Sequence, residues 1–124
     1  MIRTARRALA VTGIAATLAV GAPLAANAAQ NATIVLTPGS TACVKQYAGF
    51  QYRATVNSVH PVGTSVTRNG VIVAFQFPAT AVAYEGRTSW GTFPGAGTYK
   101  VCASNNTTSN TKVTFSLLTD GEFA

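Results

Sequence analysis

Three acids, one histidine, two cysteines and a single tryptophan are the residues on which chemistry could rest in this chain of 124 residues. Glycosidic cleavage by paired carboxylates needs two acids facing each other across a substrate, and two of the three here stand together in Asp120-Gly121-Glu122. The third, Glu85, follows Tyr84 and opens a Glu-Gly pair that reads as a solvent-facing turn. His60 precedes Pro61, and once the cysteines pair with each other the chain lacks the further ligands that zinc requires. A serine nucleophile would have to recruit His60 and one of the acids. The segment Gly86-Arg87-Thr88-Ser89-Trp90-Gly91 misses the G-x-S-x-G spacing of a nucleophile elbow and lacks the alternating helices that build one. The glycines between 91 and 97 do not complete a phosphate-cradling loop and are explained by turns. The expectation is a chain that is no enzyme and takes no metal and no cofactor.

Recognition chemistry has one concentrated source. Tyr84, Arg87, Trp90 and Phe93 fall within ten residues, with Glu85 among them. A flat aromatic beside hydrogen-bonding groups stacks on a sugar face, and Trp with Arg makes a protein–protein hot spot. The competing role is structural, because a lone Trp is normally mostly buried in a small core. Thr88 and Thr92 share the strand face of Trp90 and argue for exposure, while the scarcity of other large side chains argues for burial; we expect burial.

The elements that must position these residues lie beyond a leader. Arg3, Arg6 and Arg7 precede an apolar run over 8–26, and Ala26-Asn27-Ala28 supplies the small-x-small pattern of a cleavage site. We expect residues 1–28 to be a signal peptide for general secretion and 29–124 to form one mature domain, opening at Ala29, with no membrane span after the signal is removed. Loss of three of the nine basic residues lowers the net charge from +6 to +3. The remaining six are scattered singly, so no nucleic-acid partner is expected. An exported product meets oxidising conditions, and its two cysteines, Cys43 and Cys102, read as one disulfide with Cα atoms roughly 4.4 to 6.8 Å apart. Cys43 alternates onto the face of Lys45 and Cys102 onto the face of Lys100, with Val44 and Val101 opposite. That parity puts the bridge outside the main core.

The mature chain shows alternation of two and no helical period, punctuated by Gly, Pro, Asn and Thr. Over 50–57, Phe50, Tyr52, Ala54 and Val56 make one face and Gln51, Arg53, Thr55 and Asn57 the other. Asn69-Gly70 predicts a two-residue hairpin turn with Val66 opposite Val73, and a second arm carrying Val71, Val73, Phe75 and Phe77 that stops at Pro78. Further strands are expected over 33–37, 41–46, 81–84, 88–92, 98–104 and 112–118. This spacing predicts an all-β fold, a small two-sheet antiparallel sandwich or a small β-barrel. Asn31, Asn105 and Asn106 open N-x-[ST] patterns of the kind expected by chance in an Asn- and Thr-rich chain.

Gly97-Thr98-Tyr99-Lys100-Val101-Cys102-Ala103-Ser104-Asn105 resembles the late strand of bacterial extracellular immunoglobulin-like domains. Tyr99 stands three residues before the cysteine, where antibody-type domains have two, so the two side chains fall on opposite faces. The resemblance implies an immunoglobulin-like sandwich acting as a binding module towards an extracellular protein or a polysaccharide. The alternative is a secreted inhibitor of an extracellular enzyme such as a protease, presenting a rigid loop near 59–63 or 87–93 close to the disulfide.

Overall fold

The computed structural model describes residues 30–124. The expected leader over 1–28 and the expected first mature residue, Ala29, lie outside the described residues. Six strands follow one another: β1 (Gln30–Leu36), β2 (Thr41–Ala48), β3 (Gln51–Arg68), β4 (Val71–Arg87), β5 (Gly97–Ser104) and β6 (Thr111–Thr119), with single 3-10 turns at Thr88–Trp90 and Asp120–Glu122.

All pairings are antiparallel, and the long strand β3 organises them. On one side β3 pairs β4 from Gln51 to Asn57 and again from Val62 to Arg68. On the other side its first half, Tyr52 to Ser58, pairs β6, which pairs β1. Its second half, Gly63 to Arg68, pairs β5, which pairs β2. The six strands thus form one sheet in the order β1-β6-β3-β5-β2, with β4 attached to β3. The sheet bends across β3 where its register with β4 shifts between Asn57 and Val62. Each β-bulge increases local twist and bends the strand, and the result is an all-β fold that is nearly barrel-shaped.

The two halves face each other across the core. Tyr52, Ala54 and Val56 from the first half of β3 meet Val62 and Val66 from the second, with Tyr99, Val101, Val113, Phe115 and Leu117 between them. The rings of Tyr52 and Tyr99 stack at 4.6 Å and those of Phe93 and Tyr99 at 5.7 Å, so aromatics tie one half to the other. On the far side, Gln46 of β2 donates from Nε2 to Thr119 Oγ1 and to Glu122 Oε1, both at 2.7 Å. Asn105, fully buried, donates to the Leu36 and Ser109 carbonyls and accepts from the Thr107 N–H and hydroxyl. The first Asn-x-Thr pattern of that loop is therefore spent on closing it.

Several strand expectations are corrected. The hairpin turn is in place, with Asn69 and Gly70 at φ 50° and 85° and Arg68 opposite Val71. A register shift directly above it puts Val66 opposite Ala74 rather than Val73, because the extra residue in β4 is absorbed as a bulge. β4 does not stop at Pro78; it runs on to Arg87 through a cis Phe77–Pro78 bond. Among the described residues it pairs only with β3, so there is no second ladder there for a missing N–H to break. Phe50, expected on the buried face, precedes β3 in the turn and is half exposed. Val71, Phe75 and Phe77 are exposed as well, and Val73 alone of that series packs on the core.

The cysteines form the expected bridge. Cys43 and Cys102 stand directly opposite each other on β2 and β5, as do Val44 and Val101 and also Lys45 and Lys100. Val101 is fully buried, Cys43 is exposed and Cys102 half-buried, so the parity argument holds and the bridge lies on the outer face. The Cα atoms are 4.1 Å apart, slightly closer than the expected window of roughly 4.4 to 6.8 Å, because the two cysteines stand directly opposite each other on paired strands, where Cα atoms can approach to about 4.5 Å.

Candidate functional site

The four residues expected to form one patch are divided between core and surface. Tyr84 points inward from β4, where its hydroxyl meets Thr64 Oγ1 at 2.7 Å. Phe93 packs against Tyr99. Trp90 remains at the surface, 61% exposed, over an Arg87 side chain that is only 12% exposed; the expectation of a buried Trp90 is thereby overturned. Tyr99, Phe115, Tyr52 and Phe93 fill the space that the single tryptophan was expected to occupy.

The loop that carries Trp90 is closed on itself rather than extended as a strand over 88–92. Thr92 N–H donates to the Arg87 carbonyl at 3.0 Å, Gly91 N–H to the Thr88 carbonyl at 3.0 Å, and Arg87 N–H to Thr92 Oγ1 at 2.9 Å. Gly91 leaves the turn at φ 72°, a left-handed conformation that only glycine adopts without cost. Thr88 fastens this loop to the β2–β3 turn, its N–H and its hydroxyl both donating to the Phe50 carbonyl, at 3.0 and 2.7 Å. Alternation of Thr88, Trp90 and Thr92 imitates a strand, but these hydroxyls serve the turn.

That β2–β3 turn is held in its own right by Asp120. The Asp120 carboxylate, buried to within 8%, accepts from the N–H groups of Gly49 and Phe50 at 2.9 and 2.8 Å. Glu122 accepts from Thr119 N–H at 2.8 Å. The terminal acids therefore act as clamps, and the exposed Phe50 and Trp90 are both presented on braced turns.

Around Trp90 the cations and rings interleave. The Arg87 guanidinium carbon lies 4.5 Å from the Trp90 ring centre and 4.8 Å from that of Phe123, and Arg53 lies 4.7 Å from Phe123 on its own account. Glu85 bridges the two cations: Arg53 Nε donates to Oε1 at 3.1 Å and Arg87 Nε to Oε2. Phe123 is kept in place by Gln51 Nε2, which donates to the Phe123 carbonyl at 3.0 Å, and Arg87 Nη2 donates to the Ala124 carbonyl. Burial pushes the Glu85 carboxyl up, but the hydrogen bonds from Arg87 and Arg53 and their two charges outweigh it and hold the group below its ordinary 4.5. A carboxylate so held is an anchor for arginines, not a proton donor at neutral pH.

A folded-state pKa lowered in this way stabilises the fold above the unfolded value and loses that contribution as pH falls through the folded value. Glu85→Gln should therefore lower stability by about 1 to 2 kcal/mol at neutral pH. Denaturant titrations of the variant and wild type should converge once the pH lies below the carboxylate range.

Arg53 and Phe123 belong to this cluster and are not among the expected patch residues, while Glu85, expected in a solvent-facing turn, lies within β4 with its side chain 22% exposed between the two arginines. The available signal was the polar face of the first half of β3, on which Arg53 lies, but pairing it with Glu85 requires the register of β4. The loop expected over 59–63 is part of β3, where His60 donates its N–H to Thr111 Oγ1 at 3.0 Å. The other, over 87–93, forms a loop after β4 ends at Arg87, but it is fastened to Phe50, past the Ala48 end of β2 and away from Cys43. Phe50 and Thr92, not the bridge, make it rigid.

The chain matches no protein-family model and no curated protein sequence.

Proposed function

We propose that this chain is a small secreted, non-catalytic binding module whose recognition surface centres on Trp90, with Arg87 and Phe123 behind it and Phe50 alongside. The observation that carries this reading is a tryptophan 61% exposed on a closed loop, backed by a guanidinium that is itself held by Glu85. Exposure of so large an apolar side chain on a braced turn is the arrangement of a hot-spot anchor, since little conformational entropy is lost on binding. Export is supported by the basic-then-apolar leader and by the disulfide, which is consistent with an oxidising destination. The short resemblance of 97–105 to immunoglobulin-like modules favours the same class, as fold analogy. The partner expected is an extracellular protein or a polysaccharide.

Trp90→Ala tests the reading. Because the ring is mostly open to solvent and its one ring contact is a cation worth about 0.5 to 1 kcal/mol, stability should change by less than about 1 kcal/mol. Retention on insoluble polysaccharides, or co-precipitation of secreted proteins, should be lost. A stability loss of several kcal/mol, or undiminished retention, would assign Trp90 another role.

The second reading, a secreted inhibitor of an extracellular enzyme such as a protease, draws on the same closed loop, since rigid presentation is what an inhibitory loop needs. Incubation with a panel of secreted proteases separates the two: the module leaves their activity unchanged, and the inhibitor suppresses at least one of them in a Trp90-dependent way.

A further inference from the structure

The first half of β4 carries a surface that the Trp90 cluster does not use. Val71, Ile72, Phe75 and Phe77 are 68%, 60%, 73% and 61% exposed, and no charged residue stands between Arg68 and Glu85 in the sequence. Among the described residues β4 pairs with β3 alone, so the same residues border a strand edge that no other described strand covers. Sheets ordinarily guard such an edge with lysine, proline or a bulge. Here the register shift at Ile72–Ala74 and the proline at 78 bracket the stretch between them without charging it.

We infer that this edge is where a second copy of the chain docks, β4 against β4 in antiparallel fashion about a two-fold axis. Area is the first argument for that occupant. With residue areas of roughly 150 to 200 Å², the four exposures leave on the order of 500 Å² of apolar surface, against about 800 Å² per partner in a standard interface. The adjoining edge backbone and its hydroxyl-bearing neighbours Ser65 and Thr67 supply the remainder. Charge is the second. On the outer face Ile72 is followed across the strands by Thr67, Lys100 and Lys45, so the lysines stand two and three strands in from the edge. Pairing of β4 with β4 leaves the two Lys100 side chains five strand spacings apart, roughly 24 Å, beyond the screening length of about 8 to 10 Å. Stacking the same faces on each other would instead crowd four ammonium groups into one interface. An acidic partner or an anionic lipid surface would be drawn to Lys45 and Lys100, away from the apolar edge. Closure is the third: a two-fold pairing uses the β4 edge of both copies, so that edge offers nothing to a third.

Sedimentation equilibrium of the secreted protein should show a dimer that dissociates on dilution. Phe75→Lys places an ammonium group from each copy near the axis and should raise the dissociation constant on the order of a hundredfold or more. Ile72→Lys, on the same outer face, carries the test if Phe75→Lys does not fold. Trp90→Ala should dimerise like the wild type, so failure of the recognition reading leaves this result untouched. The inference is overturned by a wild-type chain that stays monomeric at every concentration, by a dimer that both lysine variants leave intact, or by assemblies that grow beyond two. Co-sedimentation of a monomer with anionic vesicles would likewise overturn it, in favour of a lipid surface.

Discussion

Tyr99→Ala should cost about 4 kcal/mol of folding stability, the largest effect expected of any single substitution in the core. The side chain is fully buried, stacks on Tyr52 of β3 and on Phe93 of the loop that precedes β5, and donates its hydroxyl proton to the Gly95 carbonyl at 2.7 Å. Truncation opens a cavity where the halves meet, and it leaves that carbonyl without its partner. Tyr99→Phe keeps the ring and should lose only about 1 kcal/mol. The phenol also makes a pH argument. Burial, with a contribution from neighbouring Tyr52, pushes the Tyr99 hydroxyl up to about 12 from its ordinary 10.0. A group whose folded-state pKa is raised stabilises the fold fully below the unfolded value and loses that contribution as pH rises through the folded one. Stability should fall between pH 10 and 12, and more gently in Tyr99→Phe. Urea titrations followed by circular dichroism, at neutral pH and across that range, measure both effects.

Removing the disulfide by paired Cys43→Ala and Cys102→Ala substitution should cost about 3 to 4 kcal/mol, a sizeable part of the 5 to 15 kcal/mol typical of a whole domain. The bridge lies on the outer face and closes a sequence separation of 59 residues, so its loss opens no cavity in the core. In the chain-entropy account the cost arises because the unfolded chain gains freedom. The double variant should therefore keep its native spectrum and unfold at lower denaturant. Since Cys43 is exposed, reductant should open the bridge in the folded wild type without global unfolding. A double variant as stable as the wild type would mean that the β2–β5 ladder already restricts the unfolded chain.

What was legible in the sequence followed from interactions close along the chain. Asn69-Gly70 fixed a turn because few dipeptides tolerate positive φ at both positions, and alternation around Cys43 and Cys102 placed their bridge outside the core because strand parity is local. The site demanded information that is not local. Extending the register of the Asn69-Gly70 hairpin without irregularity would set Arg53 against Gly86; the accumulated shifts in β3 and β4 set it against Glu85 instead. No residue between 57 and 67 announces that offset. The Trp90 turn was likewise read as a strand because Thr88 and Thr92 have the side chains of one, while what folds them is the carbonyl of Phe50, contributed from far away in the chain. Tyr84 and Phe93 were grouped with Trp90 by closeness in sequence, yet they serve the core. Phe123 was missed because its place depends on Gln51 and Arg87, each from a different strand.

The pairing of β1 with β6 sets the order in which the molecule can be completed. β3 and β4 meet across a two-residue turn, at little loop-closure cost, whereas Gln30 finds its partner only at Leu117. Contacts so distant in sequence place the fold among slowly folding β topologies, on millisecond to second timescales rather than microseconds. A chain that emerges N-terminus first presents β1 before any other described strand and must wait for β6, the last of them, before β1 has a ladder to join. Until β6 is present β1 lacks its ladder, and the uncharged stretch of β4 has only β3 to pair with. Whatever conveys this chain through its earliest moments has to keep that one stretch solitary until the far end arrives.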